Sequence, residues 1–222
     1  MGGFIGIDAK RANQDIMDFH REAMNVCASF GDAFHNFFED LKWKWASKPA
    51  CEYTTTLLNT ANGMFHEFYD EAWSIADGAI DALEILDRQL GGTGINITLD
   101  RGENSAKIAE YLDSLGEPCK EVLSGAVGEL VGMDVPAVKI ILGNFETEMA
   151  SVLRLLRSLP DSIAFYDQDG ELLSTYSGGV QAFINKVDNE TKKVSQSMNG
   201  YMGSETSNTL FAMEQADQAM KA

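Results

Sequence analysis

Three histidines, His20, His35 and His66, and three cysteines, Cys27, Cys51 and Cys119, are the side chains of this 222-residue chain best suited to hold a metal or attack a substrate. A di-metal site in a helical bundle needs Glu-x-x-His on two helices and a further Glu on each of the others. Asp32-Ala33-Phe34-His35 has the three-residue step, but all three histidines lie before residue 67, so the later helices have none to offer. His66-Glu67 followed by Asp70 is not the zinc motif His-Glu-x-x-His, because Asp stands where the second His is required. The cysteines have no Cys-x-x-Cys spacing and read as buried thiols or helix-face residues.

Two further chemistries fail on spacing. Asp167-Gln168-Asp169-Gly170 is like part of a calcium loop, but with Gly170 at the loop glycine the first ligand would be Phe165 and the bidentate acid Tyr176. Neither can serve. No glycine-rich phosphate loop follows a strand, and no Gly-x-Ser-x-Gly elbow is present. The residues therefore point away from an enzyme, and no cofactor or metal is expected.

The charge balance narrows the partners. With 17 Lys and Arg against 34 Asp and Glu, the formal charge is -17. Such a surface repels phosphate backbones and anionic headgroups, which argues against nucleic acid and membrane as partners. No apolar run reaches the roughly 18 residues of a membrane span.

What remains is a set of long amphipathic stretches. Ile16, Phe19, Ala23, Val26, Phe30, Ala33 or Phe34, Phe37 and Leu41 recur at helical spacing, and Asp8 suits the N-cap of the helix they define. A helix from there to about Lys44 would be about 50 Å long. A second stripe runs from Leu57 through Ala61, Met64, Phe68, Ala72, Ile75, Ala79 and Ala82 to Leu86, ending at Gly91-Gly92. Between them Leu41 to Ala50 forms a corner, with Ser47 as N-cap and Pro49 in the first turn of the second helix. Gly63 and Gly78 inside that helix mark a close approach or a kink. Residues 93–104 read as a linker, with Ile95, Ile97 and Leu99 alternating. A third helix is expected from about Ser105, carrying Ile108, Tyr111, Leu115, Val122 and Leu130.

A fourth stripe starts at Val135-Pro136 and runs Val138, Leu142, Phe145, Met149, Val152, Leu156, Leu159, Ile163, Tyr166, with Pro160 expected to kink or end it. The flanks of the turn at 167–170 read either as helix or as a pair of strands. A weaker fifth stripe, Val180 to Met198, is interrupted by Gly200 to Ser204, and the last twenty residues read as polar and partly disordered. The expected architecture is all-α: long antiparallel helical hairpins at 1–92 and 105–170 in an elongated domain like a four-helix bundle, then a smaller helical tail at 171–222. The corner Trp45-Ala46-Ser47-Lys48-Pro49-Ala50 is echoed in pattern by Gly132-Met133-Asp134-Val135-Pro136-Ala137.

The first hairpin resembles the Trp-x-Gly (WXG) helical-hairpin family, the early secreted antigen-like substrates of type VII secretion in Gram-positive bacteria. Trp45 is the matching Trp, Ala46 the free position, and Ser47 stands where the family has Gly. Tyr201-Met202-Gly203-Ser204-Glu205 matches the family's export signal of Tyr, three residues and an acid. The resemblance implies a non-enzymatic secretion substrate or targeting module. It implies recognition at Trp43, Trp45, Ser47 and Pro49, and an export signal at Tyr201 and Glu205. The implied partner is a secretion ATPase, a co-secreted helical protein or a second copy of the chain. Trp43 and Trp45 read either as packing that covers the bundle end or as a partner-binding hot spot. Without a basic, apolar leader at Met1 to Arg11, the expected location is outside the cell by the type VII route, or otherwise the cytoplasm. The alternative is a cytoplasmic helical adaptor or coiled-coil sensor whose segment from Pro160 forms a small strand-bearing module.

Overall fold

The computed structural model describes residues 6–41, 44–46, 48–95, 97 and 132–221. Trp43, Ser47, Leu99, Cys119 and the third helix expected from Ser105 to Leu130 lie outside the described residues. Four helices appear among them: α1 (Ala9–Leu41), α2 (Lys48–Gln89), α3 (Val135–Ser158) and α4 (Val180–Lys221). Two short antiparallel pairs join them, β1 (Trp45–Ala46) with β2 (Gly132–Met133), and β3 (Ile163–Tyr166) with β4 (Leu172–Tyr176). The protein is all-α in its essentials, with helices packed on helices.

The ends are set by local chemistry. Asp8 Oδ1 accepts from the Arg11 amide at 3.0 Å, and Asp134 Oδ1 from the Ala137 amide at 3.1 Å, each satisfying a donor the first helical turn leaves open. Gly91, at φ 84°, closes α2 in the left-handed conformation, and α3 stops two residues before Pro160.

Cross-contacts give the helix directions. His20 meets Trp73 and Phe30 meets Phe68, so α2 descends as α1 rises. Phe34 and Phe37 meet Phe145, and the Asp8 amide donates to the Tyr166 carbonyl, so α3 is also antiparallel to α1. Arg157 lies 3.9 Å from Asp188, Glu146 takes a hydrogen bond from Asn199, and Lys186 pairs with Glu67 and Glu71, which makes α4 antiparallel to both α3 and α2. Helices α1 and α4 thus run one way, α2 and α3 the other. One core joins them, and its densest part is aromatic: Phe30, Phe34, Phe37, Phe38, Phe68 and Phe145 are all buried. Ring pairs such as Phe34 with Phe145, at 5.3 Å, meet edge to face.

Two expectations are corrected. Ile163 and Tyr166 do not prolong the α3 stripe. After Pro160 the period changes from 3.6 to two, so Ile163 and Phe165 are buried while Ala164 and Tyr166 are only half-buried in β3. The turn that failed as a calcium loop is an Asx turn: Asp167 Oδ1 accepts from the amides of Asp169 and Glu171 at 2.9 and 2.8 Å, and Gly170 takes φ 85°. Nor do Gly200 to Ser204 interrupt the last helix. Val194, Met198, Met202 and Thr206 continue one buried row at four-residue spacing, and α4 runs unbroken to Lys221, a helix of 42 residues. Burial of that row outweighs the cost of two helical glycines, about 1 kcal/mol each.

Gly78 marks a close approach, though to a strand residue and not to a helix. The Tyr176 hydroxyl lies where a Cβ on Gly78 would stand, and Gly178 abuts the same ring. Gly63 faces open space. Gly63→Ala is therefore expected to raise the urea-unfolding free energy by about 1 kcal/mol, the propensity difference alone. Gly78→Ala is expected to give no such gain unless Tyr176→Ala accompanies it, so a double-mutant cycle should reveal the coupling.

Candidate functional site

Residue type and position set the corner. After α1 ends, the Lys44 amide donates back to the Leu41 carbonyl at 2.9 Å, and the chain extends for two residues. Trp45 lies opposite Met133 and Ala46 opposite Gly132. In addition, the Asp134 amide donates to the Lys44 carbonyl at 2.7 Å. The two corners that echo one another in sequence are thus clasped to each other. Because Trp45 corresponds to Gly132 and Ala46 to Met133 in the echo, the antiparallel register relates the corners by a local two-fold axis. Each strand is followed at the same interval by a helix with Pro at its second position, Pro49 in α2 and Pro136 in α3.

The clasp holds the Trp45 indole inside the bundle end, where it is 3% exposed. This is packing, the first of the two readings open for this residue. Its ring lies 6.1 Å from that of Tyr53 on α2 and 6.3 Å from that of Tyr201 on α4. Tyr53 and Tyr201 stack on each other, with centroids 4.1 Å apart and planes 13° from parallel. The corner and the Tyr201 motif, which are 156 positions apart, therefore share one aromatic cluster. Glu205 follows Tyr201 by four residues and so shares its face of α4. Trp45 and the two tyrosines anchor that cluster; Pro49 contributes helix geometry at α2, and Trp43 and Ser47 lie outside the described residues.

Exposure grades across the cluster. Trp45 is buried, Tyr53 and Tyr201 are half-buried, Glu205 is half-buried and Glu52 is exposed. Burial pushes the Tyr53 phenol well above its ordinary range, with the neighbouring Tyr201 adding to it. The Tyr201 phenol is raised as well, first by burial and then by the charges of Glu205 and Glu52. Both hydroxyls stay protonated at neutral pH, so the cluster offers uncharged rings edged by carboxylates.

Tyr53 joins the cluster from a position four residues before Leu57, on the same stripe of α2. The residues first weighed for chemistry stand apart. His20 is buried against Trp73, with ring centroids 4.1 Å apart, and desolvation lowers its pKa against the opposing effects of the Ala72 backbone and Asp77. His66 is exposed. Cys27 is a buried free thiol pushed up to about 12 by burial, which leaves it unreactive at neutral pH. Among the described residues no three His, Cys, Asp or Glu side chains gather as metal ligands. No helix there is long and apolar enough to cross a membrane.

No family model, curated protein or solved structure matches this chain. The reading of the site therefore rests on its own geometry.

One feature of that geometry separates the ring of Tyr53 from its hydroxyl. The Tyr53 Oη is buried and has no hydrogen-bond partner. Tyr53→Phe, which deletes an unsatisfied group and keeps the stack, is expected to leave stability unchanged or to raise it by up to about 1 kcal/mol. Tyr53→Ala, which removes the ring between Trp45 and Tyr201, is expected to cost about 3 kcal/mol or more. Urea melts followed by circular dichroism measure both.

Proposed function

We propose that this protein works without catalysis, by protein–protein recognition, as a substrate or targeting module of type VII secretion. The observation that carries the reading is the contact of Tyr201 with Trp45 and Tyr53. The resemblance assigns a recognition corner to one part of the chain and an export signal to another. Packing them together gives a secretion ATPase, or a co-secreted helical protein, a single surface to read. The buried Trp45 serves that surface by fixing the rings that reach solvent, and the acidic Glu205 lies on its accessible side. An elongated antiparallel bundle of this kind also provides long helix faces on which a partner helix or a second copy could lie.

A second reading has an observation in its favour. A cytoplasmic helical adaptor with a strand-bearing module after Pro160 accords with the β3–β4 hairpin at Ile163–Tyr176. The two readings separate by location. Expressed in its host with the secretion machinery active, the chain is expected in the culture medium. It should be retained in the cells when the machinery is inactivated or when Tyr201→Ala is introduced. Retention of the wild-type chain in cells under both conditions would instead favour the adaptor.

A further inference from the structure

His20 is 6% exposed, yet neither its Nδ1 nor its Nε2 has a hydrogen-bond partner. Buried polar atoms are almost always paired, so an imidazole with both nitrogens open stands out. The ring lies instead against the buried indole of Trp73 on α2, with centroids 4.1 Å apart and planes at 47°. In its neutral form the ring is a flat, largely apolar body filling the seam between α1 and α2. As an imidazolium it would hold a charge and two N–H donors out of water, which is far more costly. The indole face offers a cation some attraction, but less than the water it would lose.

The charged group that bears on the ring from α2 is Asp77, one turn beyond Trp73 and half-buried. On α1 itself the neighbouring Arg21 and Glu22 are exposed, and Arg21 is held by Asp18. Among the described residues no charged group of α3 or α4 acts on the ring. We propose that His20 is a pH-operated latch on the α1–α2 seam: neutral, it packs on Trp73 and keeps the seam closed, and protonated, it leaves the indole for water and the Asp77 carboxylate. Asp77 precedes Gly78, where the Tyr176 hydroxyl occupies the place of a Cβ. A shift in this turn of α2 therefore reaches β4.

The sign follows from burial. Desolvation lowers the His20 pKa, against the Ala72 backbone and Asp77, so the folded chain binds this proton less tightly than the unfolded one, whose histidines titrate at about 6.5. Above that pH the latch has no effect on stability. Below it stability falls, and the fall ends at the folded-state midpoint. Glu148, on the seam between α1 and α3, works in the opposite sense. Burial raises its carboxyl, opposed by the hydrogen bond from Asn36 and aided by Asp40 and Asp32, so acidification relieves that seam. The pH dependence of overall stability sums the two, and His20 has to be isolated. The latch lies away from the Tyr201 cluster and is independent of the secretion reading.

The test follows the ring signals of the full-length protein by nuclear magnetic resonance as the pH is lowered. The His20 ring is expected to titrate below the ordinary histidine range, and the Trp73 indole and Tyr176 ring signals to move with the same midpoint. His20→Phe keeps a ring in the seam and takes up no proton. In it the Trp73 and Tyr176 signals should stay in place over that range. The urea-unfolding equilibrium should shift toward the unfolded chain in the wild type, relative to His20→Phe, by roughly tenfold per pH unit between the two midpoints. Asp77→Asn, which removes the carboxylate that receives the imidazolium, should lower the His20 midpoint further. A His20 midpoint at or above about 6.5, or Trp73 signals that titrate in His20→Phe as in the wild type, would overturn the proposal. Should His20→Phe fail to fold, the wild-type titration decides alone: a midpoint shared by His20 and Trp73 supports the latch, and a Trp73 that does not respond overturns it.

Discussion

The architecture turns on a few backbone hydrogen bonds at one end of the bundle. There the residues that follow α1 pair with the residues that precede α3: Trp45 and Ala46 against Met133 and Gly132, closed by the Asp134 amide on the Lys44 carbonyl. A two-residue ladder is too small to be stable alone. It persists because α1 packs on both α2 and α3 along their lengths, and the aromatic core between them fixes the register in which the two corners meet. In return, the clasp brings the entries of α2 and α3 side by side, so both run in the same direction away from it.

The aromatic cluster follows from this constraint. Trp45 is placed by a strand, Tyr53 by the first turns of α2 and Tyr201 by the far part of α4, and they meet because α2 and α4 are antiparallel. The half-buried Lys186, bridging Glu67 and Glu71 across α2 and α4, supports that pairing. Its pKa is raised by these two carboxylates, chiefly through the hydrogen bond to Glu71, which keeps the ammonium charged. In a chain so rich in acids, a cation shared between two carboxylates relieves repulsion where two helices must approach.

Much of this was legible from residue spacing. The stripes of α1, α2 and α3 are regular because each helix buries one face, and Asp8, Gly91 and Pro160 mark ends for simple steric or hydrogen-bonding reasons. The Asp134 cap emerges only in the structure. The β3–β4 pair was open because Ile163 and Tyr166 fit a helical step as well as Ile163 and Phe165 fit a strand. Tertiary packing decided between them by burying Phe165. The continuity of α4 through Gly200 and Gly203 was hidden because local propensity opposes it and only the buried row of methionines and threonines maintains it. The meeting of Trp45 with Tyr201 depends on how helices far apart in sequence are arranged, and no local pattern encodes that. Tyr53 joins them unnoticed at the head of an otherwise recognised stripe.

The central claim is that one aromatic cluster unites the corner with the C-terminal helix. Aromatic nuclear Overhauser spectroscopy of the full chain, with tyrosine and tryptophan selectively labelled, tests it most directly. The account predicts cross-peaks from the Tyr53 ring protons to those of both Trp45 and Tyr201. Their absence, with Tyr201 resonances at the positions of a solvent-exposed tyrosine, would contradict it.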